Sequence, residues 1–286
     1  SLLCAMLGEF GIAELGRERF LSKLSYIPQL NEASDNRDVV RRLLTCIYQS
    51  TKNSTETTLN AAQAVADGIG AEFYQFDVDQ LVTEYVAMVA KALGREMTWE
   101  KDDLALQNIQ ARVRSPGVWM MANTRQALLL ATSNRSEAAV GYATMDGDTS
   151  GGLSPITGID KAFLRHWLRW MESTGPAGDR PHPELALVNV QPPTAELRPH
   201  ESHQTDEDDL MPYDVLDAIE RSSIRDKRTP LETLWHLRET FPQYDLKQAG
   251  FWVRRFFTLW CRNQWKRERF APSFHLDDES LDPKTW

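Results

Sequence analysis

Cysteine is scarce in this 286-residue chain: the three residues Cys4, Cys46 and Cys261 lie far apart. An odd, scattered set excludes a disulfide framework and a zinc cluster, and it fits a reducing cytoplasm. Cys4 and Cys46 sit in apolar runs, which predicts buried free thiols. Long apolar runs are missing as well. No stretch approaches the ~20 residues of a membrane span, so no membrane partner is expected. The apolar opening Ser1 to Leu7 has no basic region before it and meets Gly8-Glu9 at once, which argues against a secretion signal. The chain begins at Ser1 without Met, so a fragment or a processed product is expected. Positive charge is in deficit: 32 Lys and Arg against 41 Asp and Glu leave a net −9. That excludes the broad basic footprint of a nucleic-acid binder, although clustered cations can still hold a small anion. The six histidines show no ligand spacing, and the nearest pair, His200 and His203, reads as polar loop. There is no internal repeat.

What is present is an alternation of element types. Leu43 to Tyr48, Ala71 to Val78 and Ala127 to Thr132 read as short buried strands. Between and after them, Thr55 to Ile69, Asp79 to Leu93, Asp103 to Asn123, Ser136 to Tyr142 and Asp160 to Ser173 read as helices. Gly70 and Gly94 are natural helix stops, and Pro116-Gly117 is expected to kink or interrupt the long helix. Strand–helix alternation predicts an α/β fold with a parallel sheet, whose ligands sit outside the carboxyl ends of the strands. The loops after Tyr48, Val78 and Thr132 are then the places to search. Proline-rich Gly175 to His203 reads as an irregular excursion with one short element, Glu184 to Val188. Helices are expected again at Met211 to Ile224, Leu231 to Phe241 and Asp245 to Arg269, before a meandering tail from Ala271 to Trp286.

Each candidate motif has a plain structural reading beside its chemical one. Thr132-Ser133-Asn134-Arg135-Ser136-Glu137 lies where a strand gives way to a helix, where free N–H groups suit phosphate and a carboxylate can hold a metal. Asn134 and Glu137 also have the spacing of a box-like helix cap, and position alone favours the cap. Ser150-Gly151-Gly152 resembles the start of a pyrophosphatase-type SGGxDS loop, but Leu153-Ser154-Pro155 follows, and by itself it reads as a turn. Asn108 and Arg112, four apart on a helix, share a face; they suit an anion or a solvated surface. Asp206-Glu207-Asp208-Asp209 reads as a solvated helix start before it reads as a metal site. In Asp245 to Arg269, aromatics recurring at three and four residues predict a core-facing stripe with a basic end at Lys266 and Arg267.

In order, these segments resemble a known family. The series is Asn108-Ile109-Gln110-Ala111-Arg112, Thr132 to Thr144, Gly147-Asp148, Pro155-Ile156 and Lys161, Pro193-Thr194-Ala195-Glu196-Leu197, and Gln204-Thr205-Asp206-Glu207-Asp208-Asp209-Leu210. It closely resembles the synthetase domain of glutamine-dependent NAD synthetases, over most of the chain. Tyr48 to Leu59 and Lys266-Arg267 fit as well. The resemblance implies an N-type ATP pyrophosphatase fold: a Rossmann-like parallel sheet with helices on both faces, like the adenine nucleotide alpha hydrolases, and a C-terminal helical extension. Residues 1–174 would form the α/β core, and 175–286 the Pro-rich excursion and helical part of the same synthetase domain.

The activity implied is the ATP-dependent amidation of deamido-NAD to NAD through an adenylated intermediate. ATP is then a substrate, Mg²⁺ the metal, and ammonia comes from glutamine through an N-terminal nitrilase-like glutaminase domain. A homo-oligomer is implied too. By resemblance, Glu137 binds Mg²⁺, Thr132 touches the nucleotide, and Lys161 and Thr194 face the ATP phosphates. Tyr48 and Ser54 lie near the adenosine. Asn108, Arg112 and Asp148 hold deamido-NAD, and Lys266 closes on the intermediate, so that Lys161 and Lys266 are the catalytic candidates. Many relatives carry Lys where this chain has Met145, which removes one cationic contact. The SGGxDS loop and the glutaminase domain are expected upstream of Ser1, and the chain from Ser1 alone is expected to be inactive. Two readings compete with this one. The first is another ATP-pyrophosphatase amidotransferase of the GMP synthetase sort, against which Pro193 to Leu197 and Gln204 to Glu207 argue. The second is a catalytically incomplete homologue kept for oligomer assembly or nucleotide sensing.

Overall fold

A computed structural model describes residues 1–178, 180–199 and 205–281. In chain order the elements are α1 (Leu2–Leu15), α2 (Arg17–Lys23), α3 (Asn36–Leu43), β1 (Thr45–Ser50), α4 (Glu56–Ile69), β2 (Glu72–Asp77), α5 (Asp79–Leu93) and α6 (Trp99–Arg125). Then come α7 (Arg135–Val140), α8 (Lys161–Ser173), α9 (Ala186–Asn189), α10 (Asp206–Asp209), α11 (Tyr213–Glu220), α12 (Pro230–Thr240), α13 (Leu246–Arg262) and α14 (Gln264–Arg267). The chain forms two compact units, Ser1–Gln80 with Leu168–Pro192 and Leu81–Trp167 with Pro193–Trp286.

The first unit is built on a βαβ turn. β1 and β2 run parallel, in register from Thr45 opposite Glu72 to Ser50 opposite Asp77, and α4 is the crossover between them. Thr55 begins α4 by accepting the Thr58 N–H at 3.2 Å, and Gly70 ends it in the left-handed conformation at φ 78°. Both caps follow from residue type, since a hydroxyl satisfies an orphan N–H and glycine alone takes positive φ without strain. Val39, Leu30, Phe20 and Ala33 close a core under α1 to α3. The Pro-rich excursion carries its expected short element as a 3₁₀ turn, Pro183–Leu185, running into α9.

The second unit has its own core. Ala139 and Val140 of α7 pack with Leu216 and Ile219 of α11 and with Trp252, Val253 and Phe256 of α13. The expected aromatic stripe is therefore real at Trp252 and Phe256, while Phe251 and Trp265 are exposed at 54% and 49%. Four expectations from the sequence differ from the structure. Ala127 to Thr132 does not form a full strand: it makes one parallel bridge, Leu130 to Leu153, with Ala131 N–H donating to Leu153 O at 2.9 Å. Its partner is Gly152-Leu153, and the adjoining Gly151 lies so close that a Cβ there would stand 2.5 Å from the Ala131 nitrogen. Pro116 is carried inside α6, and the residue that leaves helical geometry is Asp102. The last long helix breaks at Asn263, whose φ of −101° and ψ of 14° end α13 and turn α14 aside. Cys4 and Cys46 are free but half-buried rather than buried. Among the described residues no helix is long and apolar enough to cross a membrane.

Candidate functional site

The site lies in the second unit, where α7 and α8 begin. Asn134 caps α7 by accepting the Glu137 N–H at 3.0 Å, and Glu137 Oε2 accepts the Asn134 N–H at 3.4 Å. The helix-cap reading of this motif is thus correct. Glu137 Oε1 remains available and lies 2.8 Å from Lys161 Nζ. The two side chains keep 18% and 22% of their surface, enough to meet a ligand. A capped helix start thereby fixes a carboxylate, and the carboxylate fixes an ammonium.

Buried polar groups support this pair from below. Lys161 N–H donates to Ser136 Oγ at 2.8 Å, and Ser136 Oγ–H donates to Asp217 Oδ1 at 2.5 Å. Asp217 Oδ2 accepts the Ala162 N–H at 3.0 Å. Burial pushes the Asp217 acid up to about 7, with the nearby Asp160 charge adding to it and the Ser136 bond opposing it. Close by, Arg135 is 2% exposed and pairs with Glu220 at 2.9 Å and with Asp277 at 2.8 Å.

The acidic run begins α10 as expected, with Glu207, Asp208 and Asp209 reaching solvent, but Asp206 departs from the solvated reading. Thr205 caps α10 by accepting the Asp208 N–H at 3.2 Å, and Asp206 is 5% exposed and faces inward. Asp206 Oδ2 accepts the Tyr213 hydroxyl at 2.9 Å, while Oδ1 is buried with no hydrogen-bond partner. Burial raises the Asp206 acid, the Lys161 charge opposes this and the Glu137 charge adds to it. Lys161 Nζ also stands 5.6 Å from the Tyr213 ring centroid, in cation–π range. Asp209 accepts the Tyr142 hydroxyl at 2.9 Å, and Arg198 joins Asp209 to Asp103.

A second cluster gathers around the loop after α7. Gly147 passes so close to α6 that a Cβ there would lie 2.8 Å from the Ala111 carbonyl carbon. Arg112 Nε donates to Met145 O at 3.0 Å, and the Thr144 hydroxyl donates to Asn108 Oδ1 at 2.9 Å. Asp148 Oδ2 accepts the Thr144 N–H at 2.7 Å. From α14, Lys266 Nζ donates to Gly141 O and Ala143 O, both at 2.7 Å, and Asn263 Nδ2 donates to Val140 O at 2.7 Å. The Lys266 ammonium is lowered by burial and by the Arg112 charge, with Asp148 opposing. Met145, at 3% exposure, is a packed apolar residue.

The remaining candidates are more dispersed. Thr132 is exposed just ahead of α7, and Thr194 is exposed with its hydroxyl accepting the Glu196 N–H at 3.3 Å. Tyr48 and Ser54 belong to the first unit. Tyr48 OH lies 2.7 Å from Thr58 Oγ1, and Ser54 Oγ accepts the Thr51 N–H at 3.1 Å. His200, His203 and Gln204 lie outside the described residues, as does the tail beyond Leu281. No local sequence signal marks Ser136, Asp206, Tyr213 or Asp217 individually. Tyr213 and Asp217 looked like ordinary members of an amphipathic helix, and only the buried acid of the run could have been sought by its spacing from Tyr213.

No three or more His, Cys, Asp or Glu side chains converge on a metal-sized site among the described residues. The donor set nevertheless suits Mg²⁺, which takes one or two carboxylates and completes its shell with phosphate oxygens and water. Glu137 supplies a carboxylate at the surface, and Asp206 supplies a buried oxygen without a partner.

The chain is similar to known proteins over most of its length. The family model for NAD synthase matches residues 37–268. The crystal structure of a glutamine-dependent NAD(+) synthetase from Cytophaga hutchinsonii matches with TM-score 0.83 and 42% identity, covering 99% of this chain and 46% of that one. The glutamine-dependent NAD(+) synthetase of Aquifex aeolicus is 35% identical over 188 residues, 66% of this chain and 31% of the relative. That of Rhodobacter capsulatus is 32% identical over 237 residues, 81% of this chain and 39% of the relative. The chain spans about a third of the length of these curated relatives.

Proposed function

The chain belongs to the NAD synthase family, and on that premise we propose that it carries the ATP-dependent amidation of deamido-NAD to NAD. In this reading the nicotinate carboxylate attacks the α-phosphorus of ATP and pyrophosphate leaves. Ammonia then attacks the carbonyl carbon of the adenylate, and AMP departs. Two polyanions must meet in an acidic protein, so the reaction needs fixed local cations more than it needs covalent chemistry. The observation that carries the proposal is the Lys161–Glu137 pair, an ammonium held at 2.8 Å by a helix-capping carboxylate.

Lys161 and Thr194 would face the ATP phosphates, Thr132 the nucleotide, and Tyr48 and Ser54 the adenosine. Asn108, Arg112, Asp148 and Lys266 would hold deamido-NAD around the loop after α7. Glu137, with Asp206 behind it, would hold Mg²⁺, which when bound neutralises phosphate charge. We take the nitrogen to be ammonia released from glutamine by a separate nitrilase-like glutaminase domain. Residues 1–174 act as the α/β core and 175–286 as the extension of the same synthetase domain, in a cytoplasmic homo-oligomer.

The test is exchange of labelled pyrophosphate into ATP by the full-length protein, with the nitrogen donor withheld. Exchange that requires deamido-NAD supports an adenylated intermediate. Exchange without it, or none in a protein that still makes NAD, contradicts that step.

A further inference from the structure

The buried chain beneath the Lys161–Glu137 pair has no part in the reaction as written. Lys161 N–H donates to Ser136 Oγ, Ser136 donates to Asp217 Oδ1, and Ala162 N–H donates to Asp217 Oδ2. The Ala162 N–H of α8 and the Ser136 hydroxyl of α7 therefore converge on a single carboxylate from α11, and the Lys161 N–H reaches it through Ser136. Such N–H groups have no partner inside their own helix. We infer that Asp217 is a positioning residue for the phosphate site, holding Lys161 and Glu137 at their mutual spacing through Ser136 and Ala162. The assignment rests on the amidation reading for its purpose, but not for its geometry.

Three observations carry it. First, Asp217 is 6% exposed and Ser136 is 0% exposed, so neither touches a substrate. Second, the helices do not need Asp217 to exist. α7 has its Asn134 cap and ends at Gly141, and Asp160 Oδ1 already accepts the Phe163 N–H at 2.6 Å at the start of α8. What Asp217 adds is the relation between the two helix starts. Third, the node needs two acceptors at once. An ionised carboxylate offers them, whereas an amide of the same shape offers one acceptor and one donor. Burying the acid raises its proton affinity, a penalty the fold accepts at this position. Glu137 follows Ser136 directly, and Lys161 contributes its own N–H, so loosening the node moves both charged ends together.

The test uses the full-length protein and reads ATP binding by titration calorimetry, with Asp217→Asn, Lys161→Met and the double variant. If Asp217 acts through Lys161, Asp217→Asn weakens ATP binding about tenfold, and in the Lys161→Met background the same change costs less than about twofold. Rescue to within about threefold is expected from Asp217→Glu, which restores both acceptors. Equal penalties in the two backgrounds, or unchanged ATP binding by a folded Asp217→Asn protein, overturn the assignment. Where Asp217→Asn does not fold, Ser136→Ala removes the middle of the chain and is judged by the same two criteria. NAD formation by the unsubstituted protein is followed separately. A protein that binds ATP but makes no NAD contradicts the amidation reading and leaves the positioning claim to be judged by the binding cycle.

Discussion

Lys161 Nζ lies 2.8 Å from Glu137 Oε1, while the other oxygen of that carboxylate accepts the Asn134 backbone N–H. One side chain thus caps a helix and holds a cation, and the two roles separate cleanly by substitution. Glutamine also serves in a capping box, so Glu137→Gln should cost about 1 kcal/mol of stability or less. It removes the charge that faces Lys161 and that would face the proposed Mg²⁺. NAD formation should fall severely and the Mg²⁺ requirement should rise. Thermal unfolding together with activity against Mg²⁺ checks both halves. An unchanged Mg²⁺ curve would remove Glu137 from the site.

Lys266 is tied to the Gly141 and Ala143 carbonyls, so it positions the loop that carries Asp148. Lys266→Ala removes two charge-assisted bonds, and about 1–3 kcal/mol of local stability is expected to go with them. Most synthetase activity should be lost, in kcat as well as in KM for deamido-NAD, while glutamine hydrolysis largely survives. Steady-state kinetics with pyrophosphate and NAD release followed separately decide this. A solvated lysine would leave both constants alone.

Asp217 also predicts a pH signature. The unfolded chain releases this proton near the ordinary aspartate value, about 3.9, whereas the folded chain holds it up to about 7. Between those values the folded state binds more protons, so its stability falls as pH rises through the window. Asp217→Asn removes this contribution. Urea unfolding from pH 5 to pH 8 should show a flatter profile for the variant, with part of the slope remaining because burial raises Glu220 as well. Identical slopes would place the titration elsewhere.

Gly151 is where the turn lies flat against Ala131. A methyl group there would sit 2.5 Å from a backbone nitrogen that cannot swing away. Gly151→Ala should therefore destabilise by about 1–3 kcal/mol, as overpacking does. Gly94→Ala tests strain of a different origin, since no atom lies within 4 Å and only its φ of 65° resists a side chain. Chemical denaturation of both variants compares the two costs.

Much of this was legible from sequence, for identifiable reasons. The βαβ turn follows from apolar strand runs around an Ala-rich helix with a Thr cap and a Gly stop. The Asn134–Glu137 cap follows from spacing alone. The break at Asn263 was not legible, because the aromatic stripe continues through it, and the turn is held by long-range bonds to α7. The third strand does not form for a related reason: an apolar run predicts burial, while strand pairing depends on a partner segment, here only Gly152 and Leu153. A charge run predicts a solvated face, whereas the burial of Asp206 depends on Tyr213, seven residues on. The Ser136–Asp217 contact joins residues 81 apart and has no local signature.

The central claim is the amidation itself. The full-length protein, given ATP, Mg²⁺, deamido-NAD and glutamine or ammonium, should form NAD with AMP and pyrophosphate released in step, and Lys161→Met should abolish all three together. Release of ADP and phosphate instead, consumption of ATP with xanthosine monophosphate in place of deamido-NAD, or full NAD formation by Lys161→Met would contradict the account.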